Sequence, residues 1–282
     1  MLKENWQRKN FKPMDIPGNP LDAEDYGICN LSVVPVRTEP SDKSEIGTQL
    51  LFGDAFAILK TSPDAKWVYI KNGFDSYNGW IDSKQYKRIT KDYYELVNSY
   101  ESPLCKDLLG LLQSEKRFLP ILMGSTLPFY NNGIVNLGDE TYTFQGETLY
   151  PKMAKDPRFI EMIARYYLAA PYLWGGKNHF GIDCSGLVQQ VFKISGYSLP
   201  RDAYQQAECG MLIPFDDLQP ADLAFFHNDA GRVVHVGIVL MNGQIIHASG
   251  EVRIDNLDMK GIFNVDRNIY THKLHSIKRI ID

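Results

Sequence analysis

The run Val233-Val234-His235-Val236-Gly237-Ile238-Val239-Leu240 constrains the fold of this chain more than any other stretch. Apart from one histidine, every residue in it is apolar or glycine, so both faces of the strand it forms must be covered. Covering both faces requires helices or further sheet from the surrounding sequence. Asp156-Pro157 reads as a helix start, a capping acid followed by the residue preferred at the first helical position. Phe159, Ile160, Ile163, Ala164, Tyr167 and Leu168 then recur on one helical face. A second helix is expected after Asp183, with Leu187, Val188, Val191 and Phe192 as its apolar stripe and Gly196 as its stop. Beyond it, strands are predicted over 223–226, 233–240, 244–248 and 270–281. Helices first and an antiparallel sheet second make residues 153–282 an α+β unit.

The N-terminal half reads differently. Residues 1–27 carry Pro13, Pro17, Gly18 and Pro20, which punctuate any regular element, and are expected to form an arm packed along another domain. Over 28–91, five short strands are predicted at 31–36, 49–52, 55–59, 67–70 and 79–81, the pattern of a small β-barrel. Tyr93, Leu96, Val97 and Tyr100 have helical spacing, which places a connecting helix within 92–112, interrupted by Pro103. Residues 118–149 return to strands, with turns at Asn131-Asn132-Gly133 and Gly138-Asp139. The region 92–152 is therefore read as that helix followed by a second small barrel.

Charge and cysteine usage narrow the partners. The net charge of −4, from 30 basic and 34 acidic residues, argues against broad binding to nucleic acid or to an anionic membrane. The opening residues lack the apolar core of a secretory signal, and no segment approaches the roughly 18 apolar residues of a membrane span. A cytoplasmic monomer is the expectation, with a periplasmic or exported protein whose signal has been removed as the alternative. Cys29, Cys105, Cys184 and Cys209 are far apart and are read as free thiols, with no metal site or cofactor expected.

Cys184 lies in Gly181-Ile182-Asp183-Cys184-Ser185-Gly186, at the predicted first turn of the second helix. A thiol attacks as thiolate, and its ordinary pKa of about 8.5 leaves it mostly protonated at neutral pH. Helix N–H groups capped by Asp183, together with a neighbouring imidazolium, would favour the anion. The alternative is an inert, buried cysteine, although the small neighbours Gly181, Ser185 and Gly186 leave room for a substrate. Two histidines bear on the choice. A two-residue Asn242-Gly243 turn would put His247 opposite Ile238, on the face away from His235. A three-residue loop, Met241-Asn242-Gly243, puts it opposite Gly237 instead, making the two imidazoles diagonal neighbours on one face. With that register, Cys184 is a candidate nucleophile, His235 a candidate base and later acid, and His247 a candidate orienting residue for acyl transfer. Zinc on the same three side chains lacks a short chelating spacing. His179, His227, His272 and His275 have no comparable context and are expected on loops or strand surfaces.

These residues carry a resemblance. Ala170-Pro171-Tyr172-Leu173-Trp174-Gly175-Gly176, Asp183-Cys184-Ser185-Gly186-Leu187-Val188, Leu199-Pro200-Arg201-Asp202, Pro220-Ala221-Asp222-Leu223, His235-Val236-Gly237-Ile238 and Ile246-His247-Ala248 follow in the order of an NlpC/P60 cysteine peptidase. Upstream, Val36-Arg37, Leu51-Phe52-Gly53-Asp54, Trp67-Val68 and Tyr77-Asn78-Gly79-Trp80 resemble a bacterial SH3 (SH3b) domain. The combined architecture is similar to the γ-D-glutamyl-L-diamino-acid endopeptidases. The resemblance implies a papain-like catalytic domain preceded by two small SH3b-like barrels.

It further implies a murein peptide substrate with a free N-terminal L-Ala, cut between γ-D-Glu and the diamino acid. A free ammonium needs carboxylate and hydroxyl acceptors in a closed pocket. By the resemblance, Asp183 and Tyr77 supply them, and Tyr172, Ser185, Arg201 and Asp202 line the pocket near Cys184. Arg201 has the planar fork suited to the free α-carboxylate of D-Glu, although it can instead pair with an internal acid. Where the family has an SH3b glutamate just before Thr48-Gln49, this chain has Gly47, and Glu45 is the candidate replacement. Two other readings share the motifs. One is a peptidoglycan-binding SH3b protein with an inactive catalytic domain, marked by binding to sacculi without hydrolysis. The other is a thiol acyltransferase or amidase, distinguished by its products.

Overall fold

In a computed structural model of the chain, residues 23–151 and 156–281 are described. The expected arm, up to residue 22, lies outside the described residues, as does the boundary at 152–153.

The first unit is an antiparallel sheet of seven strands: β1 (Asp25–Ile28), β2 (Val33–Arg37), β3 (Ile46–Leu51), β4 (Ala55–Thr61), β5 (Trp67–Asn72), β6 (Asn78–Asp82) and β7 (Lys87–Ile89), in the order β3-β2-β6-β5-β4-β1-β7. Val34, Val36, Leu50, Phe56, Ile58, Val68, Ile70 and Ile81 form its core. The alternation Val34, Val36 inward and Pro35 outward is the period-two signal that makes β2 readable in advance. Two strands were not anticipated. β1 has no alternation of its own and is fixed by pairing with β4, Gly27 opposite Phe56, while β7 pairs with β1.

Helix α1 (Lys91–Ser99) starts at Thr90, which accepts the N–H of Tyr93 at 3.2 Å, and stops well short of residue 112. After Pro103 the chain turns to strands instead. These are β8 (Leu104–Cys105), β9 (Leu109–Gln113), β10 (Phe118–Leu122), β11 (Ile134–Leu137), β12 (Glu140–Gln145) and β13 (Thr148–Leu149). Four of them form a sheet in the order β10-β9-β12-β11, and β13 pairs with β8. This sheet shares its core with the first unit, because Ile28 and Phe52 pack in one cluster with Leu112, Ile121, Val135 and Tyr142.

The remainder is built from α2 (Pro157–Arg165), β14 (Lys177–Asn178), β15 (Gly181–Ile182), α3 (Cys184–Ile194), α4 (Ala203–Gln206) and seven further strands. The strands are β16 (Met211–Ile213), β17 (Leu223–His227), β18 (Val233–Val239), β19 (Gln244–Ser249), β20 (Glu251–Asp258), β21 (Gly261–Asn264) and β22 (Ile269–Arg279). Their order is β16-β22-β17-β18-β19-β20-β21, and β22 also pairs with β21, so the sheet closes on itself. Outward-facing Leu223, Phe225, Val236, Ile238, Ile246, Ala248 and Val252 pack against Ile160, Ile163, Leu187, Val188 and Val191 of the helices. Ala224, Phe226, Val239, Ile245, Ile262 and Ile277 fill the interior. The apolar run of β18 is thus covered on both faces. Each such fully buried aliphatic side chain contributes roughly 1.5–3 kcal/mol. Every residue of α3 is buried, its apolar side on the sheet and its polar side against the first unit, where Lys193 pairs with Asp54 at 3.2 Å.

Candidate active site

Asp183 is the N-cap of α3. Its backbone is extended, and its Oδ1 accepts the N–H of Gly186 at 2.7 Å, so Cys184 becomes the first helical residue. That end of α3 packs on β18, and the N–H groups of Val236 and Ser185 reach the sulfur. Burial nevertheless dominates the thiol, pushing its pKa up to about 12, with the Asp183 carboxylate adding to the rise and the two N–H groups and Arg201 opposing it. A thiolate–imidazolium pair was the sequence-based expectation. Burial therefore works against the anion at this position.

The β18–β19 register is Ile238 opposite Ile246, the register of the three-residue loop, with Gly243 at φ +77°. His235 and His247 consequently share the inward face, and His235 Nε2 lies 2.8 Å from His247 Nδ1. Burial, with His247 and His272 alongside, holds His235 well below the usual imidazole range and hence neutral.

Two partners in this cluster were not anticipated. Asp255 on β20 is fully buried and stands 3.1 Å from His247 Nε2. Burial alone would raise its pKa, but His247, Arg253 and the N–H of Val265 outweigh it and hold it near about 2. The signal was present in Glu251-Val252-Arg253-Ile254-Asp255, a polar–apolar alternation that defines a strand. His272 is the second, and its expected place on a surface is corrected. On β22 it is half-buried and stacks on His235 with centroids 4.1 Å apart, because closure of the sheet turns this face of β22 inward.

Ring nitrogens of His235, His247 and His272 lie within 4.8 Å of one another, spacing that raises the question of a metal. Coordination needs lone pairs converging on one point. Here His235 Nε2 and His247 Nδ1 face each other across one hydrogen bond, and His247 Nε2 faces Asp255. The donor set is arranged for proton positioning.

Around the thiol, the substrate-contact assignments divide. Arg201 is buried, and its five N–H donors are all engaged within the protein: Nε to Thr48 Oγ1 (2.9 Å), Nη1 to Asp183 Oδ1 (2.9 Å) and Ser185 Oγ (2.8 Å), and Nη2 to Asp183 Oδ2 (2.6 Å) and the Gly176 carbonyl (3.5 Å). Asp183 also accepts the N–H of Gly175 at 2.8 Å. Arg201, Asp183 and Ser185 are thus bonded to one another, the internal pairing that stood as the alternative for Arg201. They form a clamp that ties the thiol helix to Thr48 of β3, leaving no free fork for a substrate carboxylate. At the same seam Gly175, at φ +77°, passes so close to β3 that an added Cβ would lie 2.2 Å from the Ile46 carbonyl oxygen.

Three further residues lie within electrostatic reach of this clamp or of one another. Tyr172 has its pKa raised by burial and by the neighbouring Cys184 and Asp183. The Tyr77 hydroxyl is pushed up to about 12 by burial and by Asp202. Asp202 is itself raised by burial and by Asp183 and Asp75, and it bonds to Tyr204 rather than to a cation. Tyr77, Tyr172 and Asp202 are therefore brought to the clamp. Glu45 is not brought as deep, since it is exposed at the rim and accepts the Trp174 indole N–H at 2.5 Å. Gly47 has a clear consequence: a Cβ there would lie 2.5 Å from the Tyr77 hydroxyl oxygen. The space beside Gly47 is filled by the tyrosine.

Comparison with known proteins identifies the two domain types. Residues 169–273 match the NlpC/P60 family model, and residues 36–85 match the model of the bacterial dipeptidyl-peptidase SH3 domain. The chain is 30% identical over 218 residues to a γ-D-glutamyl-L-lysine dipeptidyl-peptidase of Bacillus subtilis, covering 72% of each protein. A protein of the same name from Bacillus cereus is 24% identical over 264 residues, which span 85% of this chain and 78% of that one. The fold is similar to the crystal structure of an NlpC/P60 family protein from Bacillus cereus, with a TM-score of 0.77 at 20% identity over 91% of this chain.

Proposed function

The chain belongs to the NlpC/P60 family of cysteine peptidases and carries an N-terminal bacterial SH3 domain, and we propose that it hydrolyses the γ-D-glutamyl–diamino acid bond of murein peptides with a free N-terminal L-Ala, releasing L-Ala-γ-D-Glu. The observation that carries this reading is Tyr77. It comes from the SH3 domain, yet its hydroxyl stands beside Asp202 and the Arg201 clamp. A pocket walled by the upstream domain accepts a short peptide end and excludes a stem still attached to glycan. In this reading the protein acts as a monomer on released peptides in the cytoplasm. The finer architecture we assign is a papain-like α+β unit preceded by two SH3b-like barrels, the second built on the sheet β10-β9-β12-β11.

Within it, Cys184 attacks the γ-carbonyl as His235 takes the thiol proton, and the same imidazole returns that proton to the departing amine. Starting from a neutral thiol and a neutral imidazole, transfer accompanies attack. His247 orients His235. First-turn N–H groups of α3, which have no partner within the helix, suit the developing oxyanion. Asp202 and the Tyr77 and Tyr172 hydroxyls receive the substrate ammonium, and Asp183, Ser185 and Arg201 hold the wall.

The test compares L-Ala-γ-D-Glu-L-Lys with its N-acetylated form. Loss of a desolvated, charge-assisted contact is expected to lower kcat/KM about 100-fold on acetylation. Equal cleavage of the two peptides would sink the proposal. Gly47→Ala probes the same pocket from the other side. Its methyl must displace the Tyr77 hydroxyl, and overpacking of this kind costs roughly 1–3 kcal/mol. A fall in kcat/KM of about tenfold on the free-amine peptide is expected, checked by steady-state kinetics, with little change on the acetylated one.

A further inference from the structure

We propose that Asp255 is a positioning residue of this active site: by accepting the Nε2–H of His247, it selects the tautomer of both imidazoles and leaves Nδ1 of His235 bare to take the Cys184 proton. The inference rests on the assignment of Cys184, His235 and His247 made above.

Hydrogen positions along the row are set from its carboxylate end. Asp255 Oδ2 lies 3.1 Å from His247 Nε2, inside the closed sheet. An ionised carboxylate only accepts, so the hydrogen at that contact belongs to His247. A neutral imidazole with hydrogen on Nε2 has a lone pair on Nδ1. That lone pair faces His235 Nε2 at 2.8 Å, so the hydrogen between the two rings belongs to His235. His235 is then left with its lone pair on Nδ1, the form a base requires. One carboxylate thus fixes the hydrogens of two rings.

Asp255 is held so that it can do this. Arg253 donates from Nε to Oδ2 (2.7 Å) and from Nη2 to Oδ1 (2.9 Å), and Nη2 also binds Asp266 (2.6 Å). The N–H of Val265 reaches Oδ1 at 3.3 Å. The groups facing His235 are His247 from β19, His272 from β22 and Phe226 from β17. None of these is an anion, so among the described residues no other carboxylate facing the ring competes with Asp255 for the choice of tautomer. When His235 carries the thiol proton, its positive charge is stabilised through the hydrogen bond to His247 and by the Asp255 carboxylate beyond it.

Long-range proton–nitrogen NMR of histidine-labelled protein reads the tautomers directly. Wild type is expected to show His247 and His235 both carrying hydrogen on Nε2 at neutral pH. A His247 found with hydrogen on Nδ1 would overturn the proposal without any variant. Asp255→Ala and Asp255→Asn are expected to populate the other His247 tautomer and to lower kcat about 100-fold, with KM within about threefold. Wild-type tautomers and wild-type kcat in either folded variant would count equally against it. Arg253→Gln keeps the carboxylate against His247, so its tautomers should be unchanged even if its melting temperature falls. Cys184→Ala separates the two levels of the argument, since activity surviving in that variant would remove the catalytic assignment while the tautomer spectra still judge Asp255.

Discussion

Replacing Cys184 by alanine is expected to reduce peptide hydrolysis by at least ~10⁴-fold, because loss of a nucleophile leaves only binding and oxyanion stabilisation. The substitution should leave the fold in place. Cys184 is 7% exposed, and its neighbours Ile182, Leu187 and Val188 keep α3 seated on the sheet. Alanine is also the best helix former at that position. A melting temperature within about 2 °C of wild type, in an assay that gives only background turnover, is the expected pair of results. Turnover within tenfold of wild type would remove Cys184 from the mechanism. Burial of the thiol adds a second readout. Iodoacetamide should label the thiol slowly at pH 7, since burial rather than ionisation governs its state.

The second large effect concerns the clamp. Arg201→Met preserves volume and apolar contact but leaves Asp183 as a buried carboxylate without its cation, an arrangement that costs about 3–5 kcal/mol. In a chain of this size each kcal/mol lowers the melting temperature by roughly 2–4 °C, so a fall of about 10 °C is expected. Adding Asp183→Asn removes the stranded charge while keeping an oxygen to cap Gly186. The double variant should recover much of the loss, because exchanging both members of a buried pair is often close to neutral. A single variant that melts with wild type would mean that the ion pair does not secure the thiol helix to β3.

How much of this was legible in the sequence differs by element. β18 announced itself through its apolar run, α2 through Asp156-Pro157, and the Cys184 helix through Asp183. All of these are local signals. The choice of register at His247 was open until the loop was known to contain Met241, Asn242 and Gly243. Asp255 and His272 escaped because they lie on strands whose polar face normally meets water. Closure by β22 turns that face inward, and closure is a property of the whole sheet. The choice between the two readings of Arg201 stayed open for a related reason. Its fork suits a carboxylate, but the carboxylate is Asp183, and the Thr48 hydroxyl that completes its bonding lies in another domain.

The seam made by β22 also has a consequence in time. This strand supplies His272 and pairs with β16, β17 and β21, so it is translated after every strand it closes. The first unit and the sheet that shares its core can assemble while the catalytic half is still being translated, since domains generally fold as units with the N-terminal one first. The histidine row stays uncovered until residue 279 has emerged. A histidine row built this way is enclosed only after the first unit, which packs against α3, has already been translated.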